Sequence, residues 1–115
     1  MAGLKLLRLT TTGRKTGRKR TTPLYYFEHK GKYIIIASAG GADKHPSWFL
    51  NLMNNPHVTI KIGNKDISVV ARIASPSLRR KLWTTLIEMS PQYSRFQTKT
   101  KRKIPVILLQ PVSQT

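Results

Sequence analysis

Two alternating runs, His57–Ile62 and Ile67–Ile73, flank the pair Gly63-Asn64. Val58, Ile60 and Ile62, then Ile67, Val69, Ala71 and Ile73, fall at every second position, which on a strand places them on one face. A Gly-Asn pair between two such runs is a strong hairpin signal, so this stretch folds back on itself as an antiparallel pair. An amphipathic hairpin cannot bury its apolar face alone, and the rest of the chain has to supply the cover.

The other segments divide the same way. Leu4–Leu9 is apolar-rich and reads as a strand, and Thr21–Phe27 is rich in β-formers, with Pro23 marking an edge position or a bulge. After a turn at His29-Lys30-Gly31, Lys32–Ala37 reads as a strand whose Ile34-Ile35-Ile36 run is buried on both faces. Pro46 suits the first turn of a short helix over Ser47 to Asn54, which Pro56 stops. Ser75-Pro76 is an N-cap signal for a helix running to Met89, with Leu78, Leu82, Leu86 and Met89 on one face. Ser90-Pro91 repeats the signal for a shorter helix to about Thr98, and basic Lys99–Lys103 leads into a last buried strand, Ile104–Leu109. Hairpins dominate over strand–helix–strand crossovers. The expectation is one domain spanning residues 1–115, α+β or barrel-like, with six strands in a largely antiparallel sheet and about three helices.

Charge narrows the partners. Twenty-one Lys and Arg against four acids give a formal +17. Such a field favours nucleic acid, an acidic membrane face touched peripherally, or a polyanionic small molecule, and composition does not choose among them. A solvated basic surface with no ligand is equally compatible. The absence of cysteine excludes disulfides, thiolate ligands and a cysteine nucleophile, and three scattered His offer no metal site. Paired carboxylates and a serine nucleophile motif are missing too, so an enzyme built on this chain has to borrow a cofactor for the hard step. Without a membrane-span-length apolar run or a signal-peptide pattern, the expected compartment is the cytoplasm.

Three constellations are candidates for a site. The stretch Thr10–Arg20 has no apolar side chain and carries five cations, reading as an exposed loop or hairpin bend. Gly13 and Gly17 would let amides approach an oxyanion while Arg14, Lys15 and Arg20 supply charge; an exposed turn that is basic for solubility is the even alternative. Ala37-Ser38-Ala39-Gly40-Gly41-Ala42 follows a buried strand, and its small residues would let a flat ring lie against the backbone, although Gly-Gly is more often a plain turn. Trp48 and Asn51, one helical turn apart, would face that loop, with core packing the commoner role for such a Trp. Finally Ser90, Tyr93 and Phe96, spaced by three, share a helical face on which a phenol and a hydroxyl would orient or protonate a substrate; packing is the plainer alternative. His45, beside Pro46, reads as a loop or capping residue.

Several ordered motifs carry a resemblance. They are Leu-Thr-Thr-Thr-Gly-Arg-Lys-Thr-Gly from Leu9, Arg-Thr-Thr-Pro-Leu-Tyr from Arg20, and Ala-Ser-Ala-Gly-Gly-Ala-Asp-Lys-His-Pro-Ser-Trp-Phe-Leu-Asn-Leu from Ala37. Asn-Asn-Pro-His-Val from Asn54 and Ile-Pro-Val-Ile-Leu-Leu-Gln-Pro from Ile104 complete the set. In these the chain closely resembles the deazaflavin-dependent nitroreductase family of flavin/deazaflavin split-barrel oxidoreductases, from about Leu6 to Pro111.

The resemblance implies a six-stranded split β-barrel (the FMN-binding split-barrel type) surrounded by helices, and coenzyme F420 as cofactor. That coenzyme carries a phosphodiester and glutamate carboxylates, to which a cationic groove is suited. The resemblance assigns Arg14, Lys15, Thr16 and Arg20 to the phosphate and acidic tail, and Thr22, Pro23, Leu24 and Tyr25 to the strand beside the ring. Ala37, Ser38 and Ala39 match the segment along the ring, and Lys44, Ser47, Trp48 and Asn51 the helix closing the pocket. Tyr93 matches a substrate-side tyrosine, flanked by Ser90 and Phe96, and Tyr93 and Ser38 are the candidates for polarising or protonating a quinone, enone or nitro acceptor.

The sequence departs from the family at Ala39, where Lys is common, and at Ser90 and Phe96, where better-known nitroreductases carry tyrosines. It also begins almost at the first strand, where many relatives have a longer segment that covers substrate or touches membrane. Relatives on this fold are often homodimers. The competing readings are an FMN reductase on the same fold, a non-catalytic coenzyme carrier, and a nucleic-acid module. Against the last, aromatic residues do not recur beside cations on one strand face.

Overall fold

The computed structural model describes residues 3–112. Six strands form one barrel: β1 (Lys5–Thr12), β2 (Lys19–His29), β3 (Lys32–Ile36), β4 (His57–Ile62), β5 (Lys65–Ile73) and β6 (Val106–Pro111). Their order around the barrel is β1-β2-β3-β6-β5-β4, and every neighbouring pair is antiparallel. Three helices accompany them, α1 (Ser47–Asn54), α2 (Pro76–Met89) and α3 (Gln92–Thr98), with a short 3-10 turn at Ala39–Gly41. The expected α+β antiparallel barrel with its helices is the observed fold.

The β4–β5 hairpin closes with Ile62 opposite Lys65 and Gly63 at φ 61°, glycine at the first central position as a II′ turn requires. Val58, Ile60, Val69 and Ala71 point into the barrel, joined by Leu7, Leu9, Ile35, Ile107 and Leu109, and α1 plugs the interior with Phe49 and Leu52. Ile73 departs from its alternating run: as the last residue of β5 it lies at the rim and is 49% exposed. A second core lies outside the barrel, where Phe27, Ile34, Ile36, Val106 and Leu108 meet Leu82 and Leu86 of α2 and Tyr93 of α3. Because β3 and β6 contribute to both cores, their apolar runs are unbroken. The α2 N-cap is formed as expected, Ser75 Oγ accepting from Leu78 N–H at 3.3 Å. Ser90 makes no such cap for α3; it ends α2 instead, its N–H donating to Leu86 C=O.

Two features shape one end of the barrel. The stretch expected as a loop from Thr10 to Arg20 is mostly strand, since β1 and β2 pair as far as Thr12 opposite Lys19 and leave a bend of residues 13–18. Threonine explains the difference: its branched side chain suits a pleated ladder, Thr10 and Thr21 hydroxyls bond across the strands at 2.8 Å, and Thr11 is buried. Secondly, β2 pairs with β3 only through Phe27, Glu28 and His29. Residues 19–26 of β2 therefore have a ladder partner on one side only, which accommodates Pro23 at the free edge. Phe27 lies opposite Ile34, so continuing that register sets the exit of β3, Ala37 onward, across the gap from Leu24 and Thr22. The basic bend, the 37–42 loop, the start of β6 and α1 consequently share one end of the barrel.

Candidate functional site

The bend is a compact ring. Gly13 N–H donates to Arg18 C=O at 2.7 Å and Gly17 N–H to Gly13 C=O at 2.8 Å, with Gly17 at φ 72°. A Cβ on Gly13 would stand 2.9 Å from Thr16 Oγ1 and 3.1 Å from Arg18 C=O, so any side chain there would have to displace the bend. The two glycines' own amides are thus spent inside the bend. Arg14 and Arg18 N–H are also bonded, to Asn51 Oδ1 at 3.1 Å and Thr16 Oγ1 at 3.2 Å. The amides of Lys15 and Thr16 have no acceptor among the described residues, and they are the pair free to meet an oxyanion.

A cleft of about 460 Å³ opens beside the bend, a size typical of small-molecule sites. Arg14, Lys15, Thr16, Arg20 and Thr22 form one wall and Ser47, Trp48 and Asn51 of α1 the other. Trp48 and Asn51 therefore face the basic bend rather than the 37–42 loop. Trp48 also packs on the barrel core, combining the two roles that its spacing left open. Asn51, 5% exposed, joins the walls: besides Arg14 N–H its Oδ1 accepts from Arg14 Nη1 at 2.8 Å, and its Nδ2 donates to Thr11 Oγ1 at 3.4 Å. Arg14 Nη1 further reaches Ser47 C=O at 3.4 Å. Sequence reasoning placed Arg14 and Asn51 separately on a ligand; the structure makes them partners.

Across the gap, Ala37 is fully buried, Ser38 half-buried and Ala39 exposed. Ala39, Gly40 and Gly41 hold φ of 47°, 62° and 88°, three successive left-handed residues. The loop is fastened by Arg102, a residue that sequence reasoning read only as part of a basic stretch. Its guanidinium donates to the carbonyls of Ala37, Ser38 and Ala42 and meets His45 Nδ1. No local pattern announced it, since its acceptors are 57 to 65 residues away. His45 is a loop residue, tilted against Phe49 at 4.7 Å between centroids; burial, then the neighbouring Arg102 charge, holds its pKa below the usual imidazole value.

On the far side of the 37–42 loop stands α3. Gly41 packs so closely on it that a Cβ would lie 2.6 Å from Phe96 C=O. Tyr93 and Phe96 share the expected face, edge to face at 5.2 Å, and Tyr93 N–H contacts Ser90 C=O at 3.3 Å. Tyr93 belongs to the outer core, 7% exposed; burial, and then nearby Tyr25, push its phenol pKa up. Tyr25 on β2 is 53% exposed. Of the residues singled out from the sequence, eight line the cleft. Pro23, Leu24 and Tyr25 lie on β2 where it has no β3 partner, Ala37, Ser38 and Ala39 follow the end of β3, and Tyr93 and Phe96 pack in the outer core with Ser90 just before α3; none of these nine lines the cleft. Lys44 is exposed in the connection leading to α1 and is not among the residues lining the cleft.

A cationic cleft with two free amides, at the same end of the barrel as a gap flanked by small residues, suits a ligand with an anionic tail and a flat ring. Comparison with known proteins agrees. The family model described as F420H(2)-dependent quinone reductase matches residues 1–111. The chain belongs to that family. An F420H(2)-dependent quinone reductase of Mycobacterium tuberculosis is 40% identical over 106 residues, covering 90% of this chain and 71% of the relative. A solved F420-H2 dependent reductase superposes with a TM-score of 0.82 at 42% identity, over 91% of this chain and 93% of that one. A solved structure described as a domain-swapped dimer has the same TM-score and identity, over 91% of this chain and 79% of that one. As a member of the F420H(2)-dependent quinone reductases, the chain is an oxidoreductase of the deazaflavin-using kind expected from its motifs, with quinones the acceptors by which the family is described. Among the described residues no helix is long and apolar enough to cross a membrane.

Proposed function

We propose that the cleft and the β2 gap together hold reduced coenzyme F420 and that the chain uses it to reduce a quinone. The observation that carries this reading is the convergence of the basic bend and the 37–42 loop at one end of the barrel, with the ladder between β2 and β3 interrupted between them. Lys15, Arg20 and the free amides of Lys15 and Thr16 suit a phosphodiester and carboxylate tail, and Arg14, fixed by Asn51, presents its remaining guanidinium edge. Thr22, Pro23, Leu24 and Tyr25 on one side, and Ala37, Ser38 and Ala39 on the other, flank the ring. Ser47, Trp48 and Asn51 close the pocket, with Lys44 before them.

When bound, the reduced deazaflavin supplies a hydride. The chain holds ring and acceptor together, excludes water and lets a proton follow. Like any phenol Tyr93 is protonated at neutral pH, burial pushes its pKa further up, and with Ser38 it would donate a hydrogen bond to the acceptor oxygen. Ser90 and Phe96 border the acceptor. The smaller Ser90 and apolar Phe96 favour a flat, apolar quinone over a nitro compound that needs several donors. The compartment is the cytoplasm, the chain is one domain, and pairing of two copies, as in the domain-swapped relative, fits the same reading.

Equilibrium titration with F420, FMN and a short DNA, followed by ring fluorescence and quinone turnover, tests this. Micromolar or tighter F420 binding with quinone reduction and no FMN response is the expected result. Tight FMN binding that excludes F420 overturns the cofactor, binding without turnover makes the chain a carrier, and DNA binding alone makes it a nucleic-acid module. Replacing Arg14 and Lys15 by Ala should weaken F420 binding about 5- to 100-fold.

A further inference from the structure

We infer that Arg102 is a positioning residue for the coenzyme site, its guanidinium setting the shape of the loop opposite β2. The inference rests on the reading that residues 37–39 lie along the ring. All three guanidinium nitrogens are used: Nε donates to Ala42 C=O at 2.7 Å, Nη2 to Ser38 C=O at 2.7 Å and Nη1 to Ala37 C=O at 3.1 Å. Nη1 also meets His45 Nδ1 at 3.3 Å. One planar fork thereby spans residues 37 to 45.

The loop needs this support. Ala39 at φ 47° is a non-glycine residue in the left-handed region, followed by Gly40 and Gly41 there as well. Such a conformation persists where its surroundings over-determine it. Here the surroundings are the Arg102 fork on the carbonyl side and the contact of Gly41 with Phe96 C=O.

Arg102 is itself anchored. Its N–H donates to Thr100 Oγ1 at 3.2 Å and its carbonyl accepts from Gln97 Nε2 at 2.8 Å. Gln97 Oε1 in turn accepts from Arg79 Nη2 at 3.1 Å and Ile104 N–H at 3.0 Å. The fork therefore rises from backbone tied to α2 and α3. A lysine cannot replace it, because an ammonium is a point charge without a fork that reaches four acceptors at fixed angles.

Arg102 in this arrangement bonds protein carbonyls, so its loss should weaken binding of the ring half of the coenzyme. The loss of Arg14 should weaken binding of the tail half. The test uses the full chain with Arg102→Gln, Arg102→Lys and Arg14→Ala, and two ligands: F420, and the same deazaflavin with its side chain cut before the phosphate. Thermal melting reports the fold, and kcat for quinone reduction is read at saturating F420.

Arg102→Gln is expected to lose about 10-fold or more in affinity for both ligands by a common factor, with a fall in kcat. Arg102→Lys should recover only part, and millimolar guanidinium ion should restore part of the binding lost in Arg102→Gln. Arg14→Ala should weaken F420 alone. If the Gln variant does not fold, the Lys variant carries the same comparison. Wild-type affinity and kcat in both Arg102 variants would overturn the inference, as would a loss confined to the tailed ligand, which would make Arg102 a tail contact. Failure of the wild-type chain to bind either ligand would instead remove the coenzyme reading beneath it.

Discussion

Asn51→Ala isolates the bond that ties the basic bend to α1. The substitution removes an acceptor shared by Arg14 N–H at 3.1 Å and Arg14 Nη1 at 2.8 Å, together with the donor to Thr11 Oγ1. The backbone bond contributes about 1 kcal/mol, and more when its donor is left unpaired. The charge-assisted bond falls near the lower end of its range of about 1.5–3 kcal/mol, because Arg14 is exposed and water screens the charge. The 3.4 Å bond to Thr11 is long and adds little. The total is about 2–3 kcal/mol, capped by the cost of simply undocking the bend. For a domain of this size that corresponds to a fall of about 8–15 °C in melting temperature.

The sharper readout is a double-mutant cycle with Arg14→Ala, scored on F420 affinity. If Asn51 acts by orienting Arg14, the single variants each weaken binding about 10-fold and the double variant little more, a coupling of about 1 kcal/mol or above. Additive losses, or wild-type F420 affinity in Asn51→Ala, would mean that Asn51 does not orient Arg14. Asn51 would then be a direct ligand contact or merely a satisfied core amide.

Two further outcomes follow from the same geometry. Gly41→Ala sets a Cβ 2.6 Å from Phe96 C=O at a backbone φ of 88°, so chemical denaturation should show a loss of about 2–4 kcal/mol, whereas wild-type stability would mean that the loop and α3 are not in contact. His45 has a lowered pKa in the fold, from burial and then Arg102, so its contribution to stability is full above the unfolded imidazole value of about 6.5. It is lost as pH falls through the lowered folded value, and His45→Gln should flatten the melting-temperature profile in that acidic window; an unchanged profile would detach His45 from the Arg102 fork.

The local signals were legible because they are carried by residues close in sequence. Alternation around Gly63-Asn64, the unbroken Ile34–Ile36 run and the Ser75-Pro76 start each concern a few neighbours, and the chain adopts all three. The family followed from ordered motifs rather than from any one site, and the matched family model agrees with it. Where local reasoning missed, a distant partner was responsible. Thr10–Thr12 looked like loop for want of apolar residues, yet Thr21 and the interior of the barrel make it strand. Gly13 and Gly17 looked like residues that let the bend's amides reach an anion; which amides are left for that, those of Lys15 and Thr16, depended on the bonds by which the two glycines close the bend.

The elements, the cationic character and the coenzyme family can be read from the amino-acid order, since periodicity, turn residues, net charge and motif order are properties of the chain along its length. Tertiary structure alone decided that β2 parts from β3 after three pairs, that Asn51 grips Arg14 and that Arg102 reaches back across 57 to 65 residues to fasten the ring-side loop. Those outcomes depend on barrel closure, which fixes distances between segments that carry no information about one another until they are packed.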